Sequence, residues 1–199
     1  GAYLEASAGR GVDASQSQSV ENYATGAAYV FQRSGAGWSQ QAYLKASNAE
    51  PGDSFGLSVA IDGDRALVGA PSEGSASSRV DGDQGSNTAD NAGASYLFER
   101  SSGVWAQTAY LKSGSTAAEE EFGSDVALQG AVAVVGASGN ASSATGMAPA
   151  GGPEADGSGA AYLFDLSGST PAPPIMVKAS NTGMNDAFGA SVAVGPGRI

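Results

Sequence analysis

The residues able to do chemistry in this chain are acids and little else. Its 199 residues include no His and no Cys. That excludes Ser-His-Asp and Cys-His catalysis, disulfides, and thiolate or imidazole metal sites. Carboxylate, Lys and Tyr chemistry remain, with hard oxygen-ligated cations such as calcium. Two acidic stretches have spacing worth weighing. The loop Asp81–Asn91 carries Asp81, Asp83, Asn87 and Asp90, oxygen ligands close enough together to hold calcium. The same composition also describes a turn cluster whose side chains cap local backbone groups. The matching loops elsewhere keep Asp13 and Glu21, or Glu154 and Asp156 within 146–157. Glu119-Glu120-Glu121 offers carboxylates for glycoside chemistry. Neighbours in one loop are poorly placed to flank a scissile bond, so a solvated run is the expectation. Trp38, Trp105 and the Tyr residues fit either a carbohydrate-stacking surface or packing between repeats. Asn140-Ala141-Ser142 matches the N-glycosylation tripeptide. No catalytic site is expected.

The elements that must position these residues repeat. Phe55-Gly56, Phe122-Gly123 and Phe188-Gly189 are spaced by 67 and 66 residues. Gly26-Ala27-Ala28-Tyr29-Val30-Phe31 returns from Gly93 and from Gly159 at the same steps. Tyr43-Leu44-Lys45 returns as Tyr110-Leu111-Lys112 and, more weakly, as Met176-Val177-Lys178. One period across independent motifs defines a repeat architecture of about three units. Strands are expected at 26–34, 38–46, 55–61 and 65–70, and again one period on, with a fourth cycle starting at Phe188. Asp62-Gly63-Asp64 reads as a hairpin turn and 71–92 as a long polar loop. The strand at 26–34 is apolar on both faces and must be covered on both. The strand at 38–46 is more polar and suits an outer edge, with Lys45 discouraging unwanted pairing. Tandem four-stranded antiparallel units apolar on both faces are propeller blades. The fold class is all-β, a β-propeller segment of about three four-stranded blades. The divisions are 1–54 (second half of a first blade plus linker), 55–121 and 122–187 (complete blades) and 188–199 (start of a further blade).

Phe55-Gly56-Leu57-Ser58-Val59-Ala60 followed by Gly69-Ala70-Pro71 resembles the FG-GAP repeat of the integrin α-subunit β-propeller and its bacterial relatives. Phe122-Gly123 with Gly136-Ala137-Ser138, and Phe188-Gly189, carry the motif with losses, and Gly1-Ala2-Tyr3 looks like the tail of a preceding copy. In the calcium-binding version of that repeat a D-x-D/N-x-D-G-x-x-D loop lies between FG and GAP. Here Asp62-Gly63-Asp64, Gln129-Gly130-Ala131 and Gly195-Pro196-Gly197 stand there, too short to wrap the ion. The family's calcium site is therefore not carried over. Calcium remains a cofactor candidate through Asp81, Asp83, Asn87 and Asp90 alone.

The resemblance implies a non-catalytic interaction or cell-adhesion module of a secreted or surface protein, bacterial in style. A carbohydrate-binding or carbohydrate-cleaving propeller is the first alternative, a purely structural repeat the second. Net charge −11 disfavours nucleic acid and anionic lipid, leaving a protein or glycan ligand. No apolar run approaches the ~20 residues that span a bilayer. The chain begins and stops inside a repeat and so reads as a fragment. Its terminal half-blades are expected to complete one another in a head-to-tail homodimer, closing a six-bladed ring.

Overall fold

The structure is a computed structural model and describes residues 1–147 and 154–199. Short strands dominate, as the alternation of apolar pairs with Gly-rich turns dictates. They are β1 (Ala28–Ser34), β2 (Gly37–Leu44), β3 (Val59–Asp62), β4 (Arg65–Ala70), β5 (Ala94–Ser101), β6 (Val104–Leu111), β7 (Phe122–Gln129), β8 (Val132–Ala137), β9 (Gly146–Met147), β10 (Ala160–Asp165) and β11 (Ile175–Lys178). The helical content of the described residues is a single 3₁₀ turn, Val20–Asn22.

The strands form three antiparallel sheets. The middle one is a complete four-stranded unit in the order β3-β4-β5-β6. Its register is regular, Leu67 facing Leu97 and Tyr96 facing Tyr110, with a bulge at Leu97/Phe98. The third repeats it as β7-β8-β10-β11, with β9 added outside β11. The first holds β1 and β2, bulged at the equivalent Val30/Phe31. The expected strands up to residue 178 are thus present, and the fold is all-β, a partial β-propeller. The expected strand at 55–61 begins at Val59, because Phe55-Gly56 is a buried turn rather than extended chain.

The two-faced apolar pattern is realised where sheets stack. Ala94 to Phe98 are buried on both faces of β5. One core joins Val30 and Leu44 to Phe55, Phe98, Trp105 and Tyr110; a second joins Leu67, Leu97 and Leu111 to Phe122, Leu128 and Phe164. Each core is shared by two successive sheets, so a blade folds against its neighbour as much as within itself.

Phe-Gly and Gly-Ala mark these seams. Each Phe pairs in parallel with the Gly that opens the preceding Tyr strand: Phe55 with Gly26, Phe122 with Gly93, Phe188 with Gly159. Phe55 then meets Tyr96 and Phe98 edge-on, and Phe122 meets Tyr162 and Phe164 in the same way. Gly123 sits at φ +98, where a Cβ would lie 2.4 Å from the Ala94 carbonyl oxygen. A Cβ on Gly69 would lie 2.1 Å from the Gly123 carbonyl oxygen. The two glycines of the motif are therefore back-to-back across the seam, where backbones approach too closely for any side chain.

Residues 188–199 depart from expectation. Phe188 keeps its bridge, but Gly189–Val194 form no strand. β3 and β7 are held by the returning strands β4 and β8; here the returning segment is Arg198-Ile199, which bridges back at Gly195.

Candidate functional site

The loop face is built on buried lysines, which the edge-strand expectation misplaced. Lys45, Lys112 and Lys178 are 0, 1 and 3% exposed. They stand just past the outer strands or at their last residue and turn inward, under the loops that follow the Gly-Ala strands. Lys45 Nζ donates to Glu5 Oε2 (3.0 Å), Ser7 O (3.1 Å) and Thr25 Oγ1 (2.7 Å). Lys112 Nζ donates to Glu73 Oε2 (3.2 Å), Ser75 O (2.9 Å) and Gly93 O (2.6 Å). Lys178 Nζ donates to Asn140 Oδ1 (3.1 Å), Ser158 Oγ (2.8 Å) and the Gly159 carbonyl. Each ammonium thus pins a polar loop to the sheet below, with all three donors used. Tyr43 and Tyr110 join through Ser7 and Ser75.

Burial pulls the pKa of each lysine down, resisted by the adjacent Glu at Lys45 and Lys112 and by the Glu120 charge at Lys178. Burial would raise Glu5, but the bonds from Lys45 and the Ser7 backbone outweigh it and hold its carboxyl below the usual value. In the third repeat the pair changes together: Glu becomes Asn140 and Tyr becomes Met176.

The acidic triplet is not one solvated run. Glu119 and Glu121 are exposed, but Glu120 is 2% exposed. Glu119 and Glu121 occupy the left-handed region, at φ 60 and 56, and the two kinks turn the residue between them inward. Glu120 Oε1 accepts from Tyr162 Oη (2.6 Å) and Asn140 Nδ2 (3.0 Å); Oε2 accepts from Ser113 Oγ (2.7 Å) and the Ala117 amide (3.3 Å). One period earlier Asp53 occupies this place and accepts from the Glu50 amide at 2.8 Å. Burial, reinforced by the Glu73 and Glu50 charges, pushes the Asp53 carboxyl up to about 7 against the Glu50 amide bond. Asn140 of the glycosylation tripeptide is 8% exposed, its amide nitrogen committed to Glu120 and Tyr162.

Above the pinned loops lie open clefts. One of about 380 Å³ is lined by Glu50, Asp53, Asp90 and Glu119 with Asn87 and Asn91. Another, of about 690 Å³, is lined by Glu119, Glu121, Ser138, Asp156 and Asn185. They recur at successive seams, where strand-like backbone staples run from Glu119 and Glu121 to Asp90 and Asn91, and from Asn185 and Ala187 to Asp156 and Gly157.

The calcium candidates divide between two places. Asp81 and Asp83 border one concavity, Asn87 and Asp90 the acidic cleft. Asp81 Oδ1 accepts from the Tyr110 amide (2.8 Å), as Asp13 does from Tyr43 (2.9 Å), so this aspartate ties its loop to the outer strand. Asp83 closes a local turn by accepting from the Gly85 amide (2.9 Å), and Asn87 donates to Glu50. Among the described residues no three Asp or Glu side chains are grouped to hold a metal ion. Of the third loop, Glu154 and Asp156 are described, while 148–153 lie outside the described residues. Trp105 is buried against the first repeat, its Nε1 donating to Gln41 Oε1 (2.8 Å) beneath the Arg100 guanidinium. Packing between repeats, not stacking on sugar, is its role; Trp38 is exposed.

The buried lysines and Glu120 were missed from sequence because charge reads as surface. Their signal was periodicity: Lys45, Lys112 and Lys178 recur in phase, as a solvated residue has no reason to.

A search of curated proteins finds no match. The FG-GAP repeat family model matches residues 38–98 and 105–164. Those phased matches cover more than half of the chain and fall on the seams where Phe-Gly of one blade locks against Gly-Ala of another. The chain belongs to the FG-GAP repeat family and is a β-propeller-type repeat module.

Proposed function

We propose that this module is a non-catalytic interaction unit of a secreted or cell-surface protein, serving adhesion through its loop face. The observation behind this reading is the recurrence of open acidic clefts at successive seams, on loops fixed from below by buried lysines. Such a face offers exposed carboxylates and amides on a rigid base, which suits a protein or glycan ligand carrying cationic or hydroxyl groups. The described helical content is one 3₁₀ turn, and no helix there is long and apolar enough to cross a membrane.

The test is retention of protein-coated beads on immobilised matrix proteins and glycans. The expected outcome is retention that falls at least tenfold in Glu50→Gln/Glu119→Gln/Glu121→Gln, with the melting temperature unchanged. Retention indifferent to these changes, or release of sugar from the glycan surface, would reject the reading.

A further inference from the structure

The third repeat differs from the others at its buried lysine. Repeats one and two place a carboxylate, Glu5 or Glu73, against the ammonium. A carboxylate is a poor electrophile, and those pairs are ion pairs. The third places a carboxamide there, Asn140, and adds Glu120 on its far side. Lys178, Asn140, Glu120 and Tyr162 are all buried.

The parts of an amide-transfer site are assembled around Asn140 Cγ. Two Nζ–H groups of Lys178 are held by Ser158 Oγ and the Gly159 carbonyl, and the third points at Asn140 Oδ1 (3.1 Å), which sets the nitrogen beside the carboxamide. Asn140 Oδ1 also accepts from the Ser142 amide at 3.1 Å, a fixed donor where negative charge develops on attack. Asn140 Nδ2, the leaving nitrogen, donates to Glu120 Oε1. Glu120 is held by Ser113 and Ala117 through its other oxygen. Burial favours the neutral amine over the ammonium and outweighs the Glu120 charge, which favours the ammonium. Fixed proximity of this kind replaces a bimolecular encounter.

The geometry points to an intramolecular amide bond between Lys178 Nζ and Asn140 Cγ, formed by the folded chain itself with Glu120 as the proton carrier. Lys178 loses one proton to water, and the free amine adds to Cγ, placing charge on Oδ1. In that adduct Nζ and Nδ2 share one carbon, and Glu120, bonded to Nδ2, takes a proton from Nζ and delivers it to Nδ2. The Cγ–Nδ2 bond breaks, ammonia leaves, and the carbonyl reforms. The ammonia takes up the proton released at the start and departs as ammonium. No oxidant or other reactant is required. The product ties the start of the third repeat's loop to its outer strand covalently, where the first two repeats use an ion pair. Asp53, one methylene shorter than Glu120 and bonded to the Glu50 amide, sits beside Glu73 and has no amide to act on.

The experiment is the intact mass of the folded, soluble chain, followed by peptide mapping. The expected mass is below the sequence mass by one ammonia, with the peptides containing Asn140 and Lys178 recovered as one branched species. Lys178→Met, Asn140→Ala and Glu120→Gln are expected to return the unlinked mass. A wild-type mass equal to the sequence overturns the proposal, whatever the variants do. So does an ammonia loss confined to a linear peptide, which marks cyclisation of Asn140 onto its own backbone.

Discussion

At the scale of single residues, burial decides what each charge means. Asp53 is 6% exposed, with Glu73 and Glu50 acting on it as like charges, and its carboxyl is raised from 3.8 to about 7. A raised acid binds its proton more tightly folded than unfolded. Its contribution is therefore intact below about pH 4 and is lost as the pH climbs to about 7. Asp53→Asn keeps an acceptor for the Glu50 amide and removes the titration. The variant is expected to gain on the wild type by about 4 kcal/mol between pH 4 and pH 8, at 1.36 kcal/mol per unit. Urea denaturation at both pH values measures this; a difference that does not change with pH would refute it. The lysines obey the same rule with opposite charge, and are tolerated because each has three partners.

At the scale of elements, the repeat motif is a backbone constraint before it is anything else. Gly123 and Gly69 meet where β7 packs across β3 and β4, with room for neither to carry a side chain. Gly123→Ala is expected to cost more than about 3 kcal/mol, since left-handed strain adds to a clash with backbone. Gly103 supplies the control: its φ is +84, in an open turn with nothing within 4 Å of a Cβ. Gly103→Ala is expected to cost about 1–2 kcal/mol, from strain alone. Equal denaturation midpoints for the two variants would show that the seam is not where the motif acts.

At the scale of the whole molecule, a side chain's worth depends on whether a neighbouring blade covers it. Trp38 and Trp105 hold the same repeat position, yet are 69 and 3% exposed. Phe31 and Phe98 differ likewise, at 55 and 0%, as do Ile61 and Leu128, at 58 and 9%. In each pair the buried member has the preceding sheet against it. Trp105→Ala is therefore expected to cost about 3–5 kcal/mol and Trp38→Ala less than about 0.5. Thermal melts of the two variants check the contrast, and a matching loss in both would mean that Trp38 is covered in solution.

The sequence by itself determined the period, the strand pairs and the recurrence of Phe-Gly and Gly-Ala, while the structure showed that these glycines meet at the seams. What the sequence determined follows from local rules: alternation sets the strand, a Gly-rich turn sets the hairpin, and phase sets the unit. It also placed Asp81, Asp83, Asn87 and Asp90 in one loop, since proximity along the chain is visible there. Only the tertiary structure decided which of those oxygens face each other, and it divides them between two concavities. It alone turned Lys45, Lys112, Lys178 and Glu120 inward, because the partners that make a buried charge tolerable lie as far as 40 and 42 residues away in sequence. Asn140 shows the difference most plainly. Its tripeptide reads as a surface modification signal, whereas its surroundings, a lysine on one side and a glutamate on the other, exist only once loop and outer strand have folded together.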